Sequence, residues 1–140
     1  MKSITLLVYL ALASSSVFSA EVSIDADLES AVRVHEAALL TRNNGEIADT
    51  VAFPHAQFFP DGRAELYSDV QAMPDISDTS ADYAVDEMEL LSREGGLALV
   101  HVTFVSTGEN PGQDLGAAWW CFVETDFGWR ILWRHYLGRS

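Results

Sequence analysis

Four extended segments in the second half of the chain, separated by short connections, restrict the fold more than any other feature. They cover residues 83–92, 97–106, 115–125 and 129–137. Each connection carries glycine, the residue that tight turns between strands favour. Consecutive strands joined in this way lie antiparallel and side by side. The pattern therefore predicts an antiparallel meander of three or four strands.

An amphipathic helix is predicted ahead of these strands, over residues 25–43. Its repeating face steps by three and four residues and consists of Ile24, Leu28, Ala31, Val32, His35, Leu39 and Arg42. Asp25 or Asp27 can cap the start, and the Asn-Asn-Gly run at 43–45 favours the left-handed geometry that ends a helix. A long helix before a twisted antiparallel sheet predicts the α+β class.

Shorter elements are predicted between this helix and the strands. A second helix covers about 46–51, and a short third helix covers about 69–73. Between them, extended segments at 53–59 and 63–67 flank a Pro-Asp-Gly turn.

The N-terminus has the three parts of a cleavable secretory signal. Lys2 supplies the positive charge, residues 4–13 are apolar, and residues 14–20 are mostly small. The apolar stretch is about half the length that spans a bilayer as a helix, although a buried helix or a retained anchor would also use it. We expect removal of residues 1–20, leaving 21–140 as one periplasmic or secreted domain with no stable membrane insertion.

The charge of the mature domain excludes some partners. Lys2 is the only lysine, so cleavage leaves seven arginines against 21 acidic residues and changes the net charge from −13 to about −14. Such a field repels nucleic acids and anionic membrane surfaces, and we expect neither as a partner. Cys121 has no second cysteine to pair with and lies in an apolar run, so we expect a buried thiol.

Several segments, taken in order, resemble the nuclear transport factor 2-like superfamily, the cone-shaped fold shared by ketosteroid isomerase and the SnoaL-like proteins. They are Arg42-Asn43-Asn44-Gly45-Glu46-Ile47, Phe58-Phe59-Pro60-Asp61-Gly62, Trp119-Trp120-Cys121-Phe122-Val123-Glu124 and Trp129-Arg130-Ile131-Leu132-Trp133-Arg134-His135. The resemblance covers the mature chain. It implies a long N-terminal helix packed in a strongly curved antiparallel sheet, a deep pocket at the open end, and a homodimer formed through the sheet.

The isomerase mechanism does not carry over with this resemblance. Phe59 stands where ketosteroid isomerase has its carboxylate base, and Ala38 stands at about the place of its helical tyrosine. Neither side chain can transfer a proton, so any activity needs other groups.

The chain also lacks the spacings of metal and nucleotide sites. No His-x-x-x-His or Cys/His pair, glycine-rich phosphate loop or dinucleotide fingerprint occurs. We expect no metal and no cofactor.

Two histidines are candidate catalytic acids or bases. His35 lies on the apolar helix face, and His135 shares strand parity with Trp129, Ile131 and Trp133. If that strand face is concave, His135 lines the pocket and can exchange protons near neutral pH. A hydrogen-bonded structural histidine is the alternative at both positions.

Aromatic and histidine side chains elsewhere are candidate ligand contacts, because aromatic walls suit an apolar small molecule. They are His55, Phe59, His101, Trp119 and Trp133. Three functions remain open from the sequence. They are a binding domain for an apolar small molecule, an isomerase, cyclase or dehydratase using His135 or His35, and a protein-interaction domain that uses the outer sheet face.

Overall fold

The computed structural model of the protein describes residues 24–139, and the predicted signal, residues 1–20, lies outside the described residues. The first helix, α1, spans Ala26–Thr41, and its cap is Asp25, whose carboxylate accepts a hydrogen bond from the Leu28 amide at 2.9 Å. The cap satisfies an amide that has no partner inside the helix. Among residues 24–139, no helix is long and apolar enough to cross a membrane.

The end of α1 differs from the predicted stop by a few residues. Arg42 takes the left-handed conformation, with φ of 57°, although the run at 43–45 offered asparagine and glycine for it. The Asn43 side chain instead caps the second helix, α2 (Asn44–Ala48), by accepting from the Glu46 amide at 3.1 Å. One asparagine thus starts the next helix, and the arginine before it makes the bend.

Six strands follow, with a short 3₁₀ turn, Val70–Ala72, where the third helix was predicted. They are β1 (Val51–Phe58), β2 (Ala64–Tyr67), β3 (Tyr83–Glu94), β4 (Leu97–Ser106), β5 (Asp114–Thr125) and β6 (Gly128–Gly138). Together they form one sheet in the order β2-β1-β6-β5-β4-β3. The predicted α+β class is confirmed, and strands β3 to β6 form the predicted antiparallel meander.

One strand pair departs from the expected antiparallel sheet. Strands β1 and β6 are parallel, with Phe58 opposite His135, so the sheet is mixed. Turn chemistry sets the relative direction of strands joined by a few residues. Strands β1 and β6 are separated by most of the chain, so their relative direction is set by the assembly of the whole sheet.

The core lies between α1 and one face of the sheet, called here the inner face. Most of its fully buried side chains come from α1 and from three central strands, among them Leu28, Val32, Val100, Val102, Trp120, Phe122 and Ile131, each no more than 2% exposed. Burying a side chain of this size stabilises the fold by roughly 1.5–3 kcal/mol. The opposite side of the sheet is called the outer face.

A β-bulge in β6 reverses which of its side chains face the core. Cys121 of β5 lies opposite Trp133 and Phe122 lies opposite Ile131, so Leu132 is an extra residue on β6. An extra residue shifts the alternation of side chains by one. Ile131 therefore faces inward while Trp133 faces outward. The expectation that His135 shares a face with Ile131 is wrong for this reason.

Candidate site in the cavity between helix and sheet

A cavity of about 490 Å³ lies between α1 and the inner face of the sheet. Its apolar walls are formed by Leu39, Ile76, Phe104, Leu115, Ala118 and Trp120. Its polar walls are formed by Arg42, Gln57, Tyr83, Arg134, Tyr136 and Arg139. The volume is in the range of small-molecule pockets, which combine apolar walls with a few placed polar groups.

Arg134 is the most buried of these charges. It follows the bulge in β6, and the shifted alternation turns it toward the inner face. Its Nη2 donates to the Gln57 side-chain oxygen at 3.2 Å, and its Nη1 lies 3.4 Å from His35 Nε2. Its Nε is buried and has no hydrogen-bond partner among the described residues. The guanidinium is therefore oriented by two neutral groups, which use two of its five N–H donors.

A hydrogen-bonded chain behind Arg134 sets the tautomer of His35. The Thr50 hydroxyl donates to the Ile47 carbonyl at 2.7 Å, so its oxygen accepts from His35 Nδ1 at 2.6 Å. With the proton on Nδ1, the Nε2 atom of His35 is an acceptor and faces Arg134. The histidine is thus a neutral support for the arginine.

Burial and the nearby cation keep the histidines of the inner face neutral. Burial, and then the charge of Arg134, hold the pKa of His35 well below its usual range. The same two causes lower the pKa of His55 to about 4, against the opposing effect of its hydrogen bond to the Leu132 carbonyl. Burial also lowers the pKa of Arg134, but a guanidinium stays protonated in proteins.

Arg42 is a second arginine of the cavity wall with an unpaired N–H group among the described residues. Its Nε is buried without a partner among the described residues, and its guanidinium lies 5.2 Å from the centre of the Tyr83 ring. It holds the left-handed conformation that a non-glycine residue rarely takes. The bend at the end of α1 thus places a cation on the cavity wall.

Only two of the predicted site residues lie near the cavity. His35 and His55 are fully buried on the inner side, where the charge of Arg134 acts on both, but neither lines the cavity. The Nε2 atom of His55 has no partner among the described residues, and its ring stacks on Tyr67 with centroids 6.3 Å apart. Catalysis by His35 stays a prediction.

Four other predicted residues lie on the outer face, away from the cavity. In one row across the sheet, His101 is opposite Trp119, which is opposite His135, and the latter two rings meet edge to face at 5.6 Å. Trp133 lies beside this row, 6.0 Å from the Phe58 ring. The placement follows from the bulge and from the alternation of β5, in which Trp120 takes the inner face.

The remaining predicted contact, Phe59, follows β1 and supports the Arg63 guanidinium, 3.9 Å from its ring centre. It does not line the cavity. Cys121 is a buried free thiol, and burial raises its pKa. Within residues 24–139, no group of three or more potential ligands could hold a metal ion.

The sequence reasoning missed the arginines that line the cavity. One signal was present, since Arg134 interrupts an apolar strand in a mature chain with only seven arginines. A charged residue inside such a strand either lies on a solvated face or is buried with polar partners. The choice between the two depended on the bulge.

Comparison with known proteins identifies the fold through solved structures. No family model matches the chain, and no curated protein matches it. A nuclear transport factor 2-like protein with a cystatin-like fold from Novosphingobium aromaticivorans is 13% identical, with a TM-score of 0.57 over 79% of this chain and 78% of that one.

Two further solved structures carry descriptions of activity. A ketosteroid isomerase-like protein from Erwinia carotovora atroseptica has a TM-score of 0.55 at 13% identity, covering 82% of this chain and 95% of that one. A proposed dehydratase of the nuclear transport factor 2-like family from Streptomyces avermitilis has a TM-score of 0.57 at 16% identity, covering 79% and 91%. This fold accommodates both ligand binding and enzymatic roles. The chain has the nuclear transport factor 2-like, cystatin-like cone fold, as the sequence resemblance predicted.

Proposed function

We propose that the protein is exported and binds a small, largely apolar molecule in the cavity between α1 and the sheet. The observation that carries the proposal is the cavity itself, about 490 Å³ in volume, with Trp120 and Phe104 in its apolar walls. A folded core normally fills such space with side chains. A cavity of this size with aromatic walls is typical of a ligand site.

Binding is favoured over acid–base catalysis by the composition of the walls. Among the described residues, the lining contains no histidine, aspartate, glutamate or cysteine. A general acid or base must come within hydrogen-bonding reach of the reacting proton. Both ring nitrogens of His35 already face partners, and His135 faces Trp119 on the outer side. The enzymatic alternative therefore has the weaker support, since within the lining it would rest on the hydroxyls of Tyr83 and Tyr136, and the latter already donates to the Leu115 carbonyl.

The uncharged fluorescent probe N-phenyl-1-naphthylamine tests the binding proposal. Ala118 lines the cavity, whereas Ala117 points to the opposite face of β5. We expect the wild-type protein to bind the probe, and Ala118→Phe to weaken binding roughly tenfold or more because the new ring occupies the cavity. The matched control, Ala117→Phe, should bind as the wild type does.

Two results would overturn the proposal. One is no saturable binding by the wild-type protein, and the other is an equal loss in both variants while circular dichroism shows both folded. Export is tested separately by expressing the full chain and measuring the intact mass of the periplasmic product. A mass that retains residues 1–20 would contradict export through a cleaved signal.

A further inference from the structure

We infer that the ligand of this cavity is an amphipathic organic anion, with its oxyanion bound by Arg134 and Arg42 and its apolar body packed against Trp120 and Phe104. The inference rests on the proposed function, that the cavity binds a small molecule, and names the chemical class of that molecule.

The distribution of charge in the molecule points to an anion. The mature chain has three acidic residues for every arginine, yet three of its seven arginines, Arg42, Arg134 and Arg139, line this one cavity. None of the acidic residues described by the structure lines it. A chance sample of this chain's charged groups would be mostly carboxylates. The cavity therefore has the opposite sign to the rest of the molecule.

Arg134 has no counter-ion in the described part of the chain. Within residues 24–139, carboxylates pair with Arg33, Arg63 and Arg93, all on the surface, and none pairs with Arg134. A buried charge is costly unless it is paired. Its hydrogen bonds to Gln57 and His35 use two of the five guanidinium N–H groups, so three remain without a partner among the described residues.

The neutral partners orient the guanidinium without neutralising it. His35 holds its proton on Nδ1, and Gln57 presents its side-chain oxygen, so both accept from Arg134 and carry no charge. A carboxylate in place of either would satisfy the charge internally. This arrangement fixes the orientation of the Arg134 guanidinium and leaves its positive charge available to an oxyanion.

Arg42 supplies a second, independent feature of the same kind. Its Nε is also buried without a partner, and its backbone takes a left-handed conformation that asparagine or glycine would adopt with less strain. Strain of this sort persists where the side chain it positions is needed. Both arginines line the same cavity, as an oxyanion site requires.

The apolar walls show that the anion is organic. Leu39, Ile76, Phe104 and Trp120 form most of the remaining surface, and the space is far larger than a bare phosphate or sulfate ion needs. Burial of an apolar body supplies affinity, while the arginines select the charged end. A carboxylate or sulfonate on an aromatic or aliphatic body meets both requirements.

Two fluorescent probes that differ only by one sulfonate group test the inference. The sulfonate 8-anilinonaphthalene-1-sulfonate and the uncharged N-phenyl-1-naphthylamine share one aromatic body, and their dissociation constants are measured by titration. We expect the wild-type protein to bind the sulfonate roughly ten- to a hundredfold more tightly, the effect of a charge-assisted hydrogen bond. Arg134→Gln should remove this preference and leave binding of the uncharged probe within about threefold.

Arg63→Gln is the control, because it removes the same charge from a surface position paired with Glu65. It should leave the preference for the sulfonate unchanged. If Arg134→Gln does not fold by circular dichroism, Arg42→Gln takes its place with the same expectation, and the wild-type preference is itself a test.

Each contrary outcome identifies what has failed. Equal affinity of the wild-type protein for both probes overturns the inference while the binding function stands. A preference for the sulfonate that Arg134→Gln reduces no more than Arg63→Gln also overturns it, since the anion then binds elsewhere. Failure to bind either probe overturns the proposed function, and the inference with it.

Discussion

Acid should destabilise this protein as the pH falls below about 6.5, because two of its histidines are buried and uncharged. His35 and His55 are fully buried, and both lie in the field of Arg134. Protonation of His35 would also place a second cation 3.4 Å from the arginine. The folded state therefore resists the proton that the unfolded chain accepts.

The direction and size of the effect follow from the two pKa values of each histidine. The ordinary pKa of histidine is 6.5, and that of folded His55 is about 4, with His35 shifted in the same direction. Stability is complete above the unfolded value and is lost as the pH falls from 6.5 toward the folded value. Between about pH 7.5 and 5.5, the shift of His55 alone should remove roughly 1 kcal/mol from the free energy of unfolding, and His35 should add to the loss in the same direction.

Urea unfolding followed by tryptophan fluorescence measures this difference at the two pH values. His55→Gln should lower stability at both, because it alters buried packing, but should reduce the pH-dependent loss by roughly 1 kcal/mol. The double variant with His35→Gln should show almost none. The reasoning is refuted if the wild-type free energy of unfolding is the same at both pH values, or if His55→Gln leaves the difference unchanged.

Two further predictions concern the sheet. Gly116 has φ of 105°, and an added Cβ would lie 2.6 Å from the Gly138 carbonyl oxygen, so Gly116→Ala should cost roughly 2–3 kcal/mol of unfolding free energy. Gly112→Ala, with φ of 85° and open space, should cost only roughly 1 kcal/mol, and an equal loss in both would contradict the steric explanation. The expected homodimer through the outer face should dissociate in Trp119→Glu but persist in Phe127→Glu, as read by sedimentation velocity, and a monomeric wild type would contradict it.

The helix and the meander were predictable because local chemistry specifies them. Asp25 caps α1 where the sequence placed a cap, and β4 covers Leu97–Ser106, the range predicted from alternation and flanking turns. Helix caps, tight turns and periodic apolar faces depend on residues within a few positions of one another. Neighbouring residues carry all the information that such elements need.

The candidate site was predicted poorly because one extra residue in β6 shifts which of its side chains face the core. Uninterrupted alternation along β6 predicts that His135 shares a face with Ile131, and places it in the pocket if that face is concave. The pairing of Cys121 with Trp133 shifts the alternation and puts His135 on the other face. A bulge depends on the partner strand, so a single strand's sequence does not reveal it.

The α+β class, the antiparallel meander and the strongly acidic charge follow from the amino-acid sequence, since they arise from composition and short-range pattern. The parallel pairing of β1 with β6 and the shared cavity wall of Arg42 and Arg134 appear only in the folded structure. These two arginines are far apart in the chain and come together because α1 packs against the inner face of β6. Sheet assembly and core packing depend on many residues at once. The residues that they bring together therefore share no pattern that a short stretch of sequence could show.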